Sequence, residues 1–482
     1  MVMPGRDYLR VLLCCVLVAG SAALADAAVK LPAVIGDNMV LQRGQPAPIW
    51  GWADKGEEVA VAVAGQTLTA KAGDDGRWKV TLKKLDVGQP LEMTVKGSSG
   101  SAVTVKNILV GEVWVGSGQS NMEMGVGSSK NAAQEIAAAK YPNIRLFTVA
   151  KKKAAEPQTD CAGQWIQCSP STVSGFSAAA YYFGRQLHQE LNIPVGLIHT
   201  SWGGSGAGYW VSRKTLTSIP VLKPLAEGEA SHMYNGMIAP LIPYAIRGVI
   251  WYQGEANVGG AYQYRTLFPA LIADWRADWG QGDFPFGFVQ IAPFAGYSDD
   301  WGLSPVACAE LWEAQAMTLK SSPNTGMVVT TDLADVDKIH PKNKDYVGIH
   351  PTNKQDVGRR LALWALAKVY GRDLVYSGPI YKSMSIEGNK IRLQFDHVGG
   401  GLVAADGKPL TDFIIAGADH KFLPAVAEVE GSSIVVHSDQ MGQPVAARYA
   451  WHDDATPNFA NKEGLPASPF RTDAWKGVTE PR

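Results

Sequence analysis

Three strings of polar residues follow apolar runs in this chain, and their residue types suit acyl transfer. In Gly116-Ser-Gly-Gln-Ser-Asn-Met122 a serine follows two glycines that let the backbone turn sharply. Ser120 then falls at the start of a helical turn, where unpaired backbone N–H groups can stabilise a developing oxyanion. A serine in such a turn is also an ordinary helix N-cap, so the motif needs partners before it means chemistry. His199-Thr-Ser-Trp-Gly-Gly-Ser205 offers one, a tight turn in which Gly203 or Gly204 can present a backbone N–H to an anion. Gln253-Gly-Glu-Ala-Asn257 offers another, with the polar side chains of Gln253, Glu255 and Asn257 directly after an apolar run. A fourth stretch carries Asp332, Asp335, Asp337, His340 and His350 ahead of a helical pattern. A histidine placed by a helix start, with a carboxylate to fix its tautomer, is the general base that a serine nucleophile requires. His188, His397 and His452 lack such a setting.

The elements that must hold these groups are legible as changes of hydrophobic period. From residue 29 to about 105 short alternating runs (47–52, 58–63, 78–82, 91–95) are separated by turn signals such as Arg43-Gly44-Gln45-Pro46 and Gly73-Asp74-Asp75-Gly76. That spacing predicts a small β-sandwich. From 108 the pattern changes to buried strands at 108–115, 195–198, 248–252, 286–291 and 326–330. They alternate with helices at 131–139, 178–191 and 354–369. Strands separated by helices imply parallel βαβ units with helices on both faces, and such sheets bind ligands beyond the carboxyl ends of their strands. The polar strings lie just there. After residue 373 the chain returns to short β runs, which predicts a second β module packed against the catalytic block. The organisation is therefore a leader over 1–25, a β-sandwich over 26–107, an α/β block the size of one enzyme domain over 108–373 and a β-rich module over 374–482.

Composition excludes more than it assigns. Hydrophobic residues make up 46% and charged residues 18% of 482, so disorder and coiled coil are ruled out. Lys plus Arg (44) cancels Asp plus Glu (45), leaving no long-range field for nucleic acid or an anionic membrane. The first residues read as a signal peptide, with Arg6 and Arg10, an apolar run from Val11 to Val18 and the cleavage pattern Ala23-Leu24-Ala25. Export to the periplasm or medium is expected, without a membrane span. Cys161 and Cys168 could then close a small disulfide loop, with Cys308 left over. Three scattered cysteines make no metal site, and no cofactor is called for. Fifteen tryptophans include Trp114, Trp202 and Trp251 beside the three polar strings, where they would pack the site or line a sugar cleft.

Taken together, Gly118-Gln-Ser-Asn-Met122, Ser201-Trp-Gly-Gly204, Trp251-Tyr-Gln-Gly-Glu255 and Ile349-His-Pro-Thr-Asn-Lys354 resemble the sialate O-acetylesterase family of SGNH hydrolases. The resemblance runs from Leu31 to Trp475, including Ile35-Gly-Asp-Asn-Met-Val-Leu-Gln42 and Gly464-Leu-Pro-Ala-Ser-Pro-Phe-Arg-Thr-Asp473. It implies an α/β, three-layer αβα fold with a parallel sheet, flanked by the two β modules. It also implies that Ser120 is the nucleophile of a carbohydrate O-acetyl esterase. The Ser120 N–H, a glycine N–H from Gly203 or Gly204, and the Gln253–Asn257 segment with Glu255 would form the oxyanion hole.

The histidine must be chosen, because a tandem repeat doubles it. Residues 339–348 and 349–358 match at seven of ten positions. His340 has Asp337 three positions ahead, the Asp-x-x-His spacing usual in SGNH enzymes. His350 keeps its distance to the following helix, whose packed register resists a ten-residue shift far more than a loop does. His350 is preferred, with Asp335 to orient it and His340 the alternative. Two positions depart from the family: Gly116 in place of cysteine, and Gly208 where glutamate is more frequent, beside the acyl site. The competing reading is a catalytically silent carbohydrate-binding protein on the same fold, its base displaced by the repeat. A sialate carboxylate would call for a nearby cation, for which Arg213 is a candidate.

Overall fold

The structure is a computed structural model that describes residues 29–335 and 347–481. At its centre is a seven-strand run in the order Thr325–Val328, Phe286–Val289, Gly248–Tyr252, Ala102–Gly118, Val195–Ser201, Tyr141–Thr148, Trp165–Cys168. Every neighbouring pair is parallel except the last, where Trp165–Cys168 runs antiparallel to Tyr141–Thr148. From Ala102–Gly118 the chain skips to Tyr141–Thr148, returns to the inner position Val195–Ser201, then crosses to build the other side outward, so strand order reverses beside Ala102–Gly118. Ligands are expected in the crevice at such a point.

Helices cover both faces, as the strand period requires. Trp114 faces Phe183 of Ala178–Leu191 at 5.0 Å between ring centroids and Trp364 of Lys354–Lys368 at 6.2 Å. Gly248 pairs with Trp114, so Trp251, three residues on, points to the other face. There it meets Phe268 and Trp275 of Ala261–Trp279. The chain is thus α/β. Local signals set the helix starts: the Ser177 hydroxyl accepts from Ala180 N at 3.2 Å, and the Asn353 carboxamide accepts from Asp356 N at 3.2 Å. Ala261–Trp279 and Ala307–Ser321 are not announced by the hydrophobic pattern. The first is buried along much of its length and holds Pro269, so its apolar residues show no single stripe.

The strand Ala102–Gly118 is 17 residues long and lives in two environments. Its first half alternates exposed and buried residues and pairs with Leu91–Gly97, whereas its second half is buried on both sides within the central sheet. The boundary expected at residue 107 falls inside this strand, so the N-terminal strands and the central sheet share one backbone element and one apolar core. The N-terminal strands form a three-stranded antiparallel piece and a separate ribbon, Ala47–Trp52 with Arg77–Leu82. The residues after 379 form antiparallel sheets around their own core of Ile391, Leu393, Phe413, Ile434 and neighbours. Polar contacts dock them on the central block, including Arg471 Nε on Glu313 Oε1 at 2.9 Å and Gln290 Nε2 on Ser468 Oγ at 3.0 Å.

Cys161 and Cys168 are free and buried, not bridged. The hairpin explains it: Ala150 N bonds Ala162 O at one end of Tyr141–Thr148, while Cys168 pairs with Tyr141 at the other. An extended strand separates the two sulfurs beyond disulfide reach. Burial pushes both thiols up to about 12. The leader, with its arginines and cleavage pattern, lies outside the described residues. No helix among the described residues is long and apolar enough to cross a membrane.

Candidate active site

The reversal point of the sheet brings three loops together. Gly118 has φ +139, and a Cβ there would stand 2.1 Å from Tyr252 O, so only glycine lets the chain leave its strand this close to the next one. The helical turn Ser120–Glu123 begins immediately after it. Ser120 is half-buried, at the mouth of the sheet, and its amide belongs to a first helical turn with no intrahelical acceptor.

Across the cleft His350 Nε2 lies 2.7 Å from Ser120 Oγ. Burial lowers the His350 pKa below its usual value, the Lys354 charge lowers it further, and the Glu123 charge opposes both. The imidazole is therefore neutral at neutral pH and able to take the serine proton. His340 and Asp337 lie outside the described residues. Asp335 accepts from Thr352 Oγ1 at 3.2 Å, two residues beyond His350, and no hydrogen bond joins it to the His350 ring. The expected direct Asp335–His350 bond is thus replaced by a hold on the backbone turn that carries the histidine.

What fixes that turn is a buried network that sequence reasoning missed. Asn121 Nδ2 donates to Glu255 Oε1 at 2.5 Å and to Ile349 O at 2.9 Å. Lys354 Nζ donates to Asn121 Oδ1 and Pro351 O, both at 2.6 Å. Asn121 thereby ties the residue after the serine to the residue before the histidine. Burial brings the Lys354 pKa down to about 7, against the raising charges of Glu255 and Asp335, and burial raises that of Glu255. A neutral amine still has the two protons that these two bonds need. The available signals were adjacency, with Asn121 next to Ser120, and one helical turn between His350 and Lys354.

The expected oxyanion donors divide. Gln253 is consumed by structure, since Nε2 donates to Ser205 O and Asn257 Oδ1 while Oε1 accepts from Tyr264 Oη at 3.0 Å. Glu255 is buried in the network above and offers an acceptor, not a donor. Gly203 N donates to Glu123 Oε2 at 2.6 Å, a carboxylate already paired with Lys151 Nζ at 2.6 Å. That N–H is therefore engaged, and a second anion beside Glu123 would be repelled. Asn257 Oδ1 accepts from Ala207 N at 2.9 Å and from Gln253 Nε2 at 2.7 Å, while its Nδ2 has no acceptor among the described residues. With Gly204 N and Ser120 N, it completes a set that could meet an oxyanion.

The surroundings correct two further expectations. Trp114 and Trp251 are fully buried core residues, and of the three flanking tryptophans only Trp202 is partly exposed, with Lys151 and Lys153 over its ring at 5.3 and 5.9 Å. The Arg213 guanidinium is taken by the carbonyls of Ala226, Gly228 and Ala230 and clamps a loop. Gly208 lines a cavity of about 180 Å³ shared with Asn257 and bordered by Glu227 and Glu229. Among the described residues, the one group spaced for a metal is His452, Asp453 and Asp454, in the C-terminal module.

A family model described as carbohydrate esterase, sialic acid-specific acetylesterase, matches residues 110–360. The chain is 31% identical to the human sialate O-acetylesterase, over 92% of each chain. It is 30% identical to the mouse sialate O-acetylesterase, over 94% of each. The crystal structure of a carbohydrate acetylesterase from Xanthomonas citri superposes with a TM-score of 0.85 at 38% identity, covering 93% of this chain and all of that one.

Proposed function

Because the chain belongs to the sialate O-acetylesterase family and is a carboxylic ester hydrolase, we propose that it removes acetyl groups from sugar hydroxyls through an acetyl-Ser120 intermediate. The observation that carries this reading is the 2.7 Å contact between Ser120 Oγ and a neutral His350 Nε2 at the reversal point of the sheet. His350 takes the Oγ proton as Ser120 attacks the acetyl carbonyl. Charge collects on the carbonyl oxygen, and Ser120 N, Gly204 N and Asn257 Nδ2 are the donors assigned to it; each such donor contributes about 10²–10³ in rate. His350 then returns the proton to the departing sugar oxygen, leaving the acetyl-enzyme. A water molecule, deprotonated by the same imidazole, attacks this ester and releases acetate. Asp335 acts through the turn it shares with Thr352, and the charge that favours the imidazolium is that of Glu123.

The block 108–373 is read as the SGNH-type catalytic domain between two β modules, and the leader is read as directing export. The substrate is an acetylated glycan. The test is release of p-nitrophenol from p-nitrophenyl acetate, with a burst expected for the wild type and none for Ser120→Ala. A folded protein with neither burst nor turnover contradicts the proposal. Acetate release compared across O-acetyl sialic acid, acetylxylan and acetylated pectin then ranks the sugars.

A further inference from the structure

A cavity of about 470 Å³ lies where the N-terminal ribbon meets the central block, and its lining includes none of the Ser120, Trp202 or His350 loops. One wall is the ribbon of Ala47–Trp52 against Arg77–Leu82, in which Trp50 pairs with Lys79 and Trp52 with Arg77. Cross-strand partners share a face, as do residues two apart, so two indoles and two cations project from the same side. All four are at least partly exposed there. Between the tryptophans Gly51 is obligatory, because a Cβ would stand 2.1 Å from Lys30 O and 3.0 Å from the Trp78 ring.

The platform is rigid. Trp52 exchanges backbone hydrogen bonds with Lys30 at 2.8 and 2.9 Å. The Trp50 ring leans edge-on against buried Tyr244 at 6.3 Å, whose hydroxyl donates to Val40 O at 2.7 Å. Trp78, between Arg77 and Lys79, projects to the opposite face of the ribbon, where it is 3% exposed and backs the platform. The opposite wall is Pro157, Gln158 and the Ile242-Pro243 segment. Lys79 makes no ion pair among the described residues, and Arg77 makes only an exposed one with Asp75 at 3.4 Å.

We propose that this groove is a second glycan site, which holds a pyranose bearing a carboxylate on Trp50 and Trp52 while Arg77 and Lys79 pair with its acid group. Indoles offer flat apolar faces to the C–H side of a sugar ring, the cavity has the volume of a small-ligand site, and the cations match a carboxylate. The choice of a glycan rests on the esterase reading, since a chain with 44 basic and 45 acidic residues gives a nucleic acid no wider basic surface. The site would hold the polymer while Ser120 works elsewhere along it.

The experiment is calorimetric titration of full-length Ser120→Ala with an unacetylated hexamer of galacturonic acid and, separately, of xylose. No ester is present, so loss of esterase activity and loss of this site are read independently. Saturable binding of the galacturonate hexamer is expected, weakened at least about tenfold by adding Trp52→Ala and severalfold by adding Lys79→Ala at an exposed position. Absence of saturable binding overturns the proposal. So does binding that neither substitution changes, or equal binding of the xylose hexamer.

Discussion

Two serine–histidine pairs stand at the ends of neighbouring strands, and they differ in everything except their distance. His350 Nε2 lies 2.7 Å from Ser120 Oγ, and His199 Nε2 lies 2.6 Å from Ser201 Oγ. His199 sits within the strand Val195–Ser201, with its ring edge-on to Phe176, and burial drives its pKa down to about 4. An imidazole that weak is a poor proton acceptor, and Ser201 is only 3% exposed, so no ester can reach it. His350 is carried by a loop, half-buried, with a pKa lowered less and balanced by Lys354 on one side and Glu123 on the other. Contact alone does not make a nucleophile. Access, and a base whose pKa burial lowers less, separate the two pairs.

The largest expected effect breaks the comparison at its serines. Ser120→Ala should lower kcat/KM by at least about 10⁴-fold, measured with p-nitrophenyl acetate. Ser201→Ala should leave the rate within about threefold yet cost about 1–3 kcal/mol in denaturant unfolding, because buried His199 loses its partner. Next come the histidines: His350→Gln should cost at least about 10³-fold, whereas His340→Gln should change the rate little. If only His340→Gln is inactivating, the base has been misassigned. Asn257→Ala should cost about 10²-fold in kcat with little change in KM, as expected for a donor used mainly in the transition state.

The smallest effect sharpens the comparison through pH. His350 has a lowered pKa, so the acid limb of kcat/KM should fall below the usual histidine value, with activity lost as the imidazole protonates at lower pH. Lys354→Met removes a charge that lowers this pKa, so its acid limb should move up. Glu123→Gln removes a charge that raises it, so its limb should move down. Opposite displacements in the two variants are the expected result, and limbs that stay fixed would remove both residues from the account.

The sequence carried the strand ends well and the side-chain partnerships poorly. Buried strands at 248–252 and 195–198 were legible because parallel strands covered on both faces read as unbroken apolar runs. The loops after them were therefore placed where the structure has them. Asn121, Glu123 and Lys354 were not legible as site residues, because their roles depend on contacts between segments 28 to 233 residues apart, which no local spacing encodes. Gln253 matched the donor pattern in type, but only tertiary contacts reveal that its amide is already spent. The tryptophans misled similarly: Trp114 and Trp251 flank the catalytic loops in sequence yet face helices, while Trp50 and Trp52 share a partly exposed face in a ribbon far from them.

The central claim is that Ser120, and not its neighbour in the second pair, carries the acetyl group. Acid-quenched enzyme taken during turnover of p-nitrophenyl acetate, digested and mapped by mass spectrometry, tests it directly. One acetyl group on the peptide containing Ser120, absent from Ser120→Ala and retained in Ser201→Ala, is the expected result. Acetyl on the Ser201 peptide, or turnover by Ser120→Ala at the wild-type rate, would contradict it.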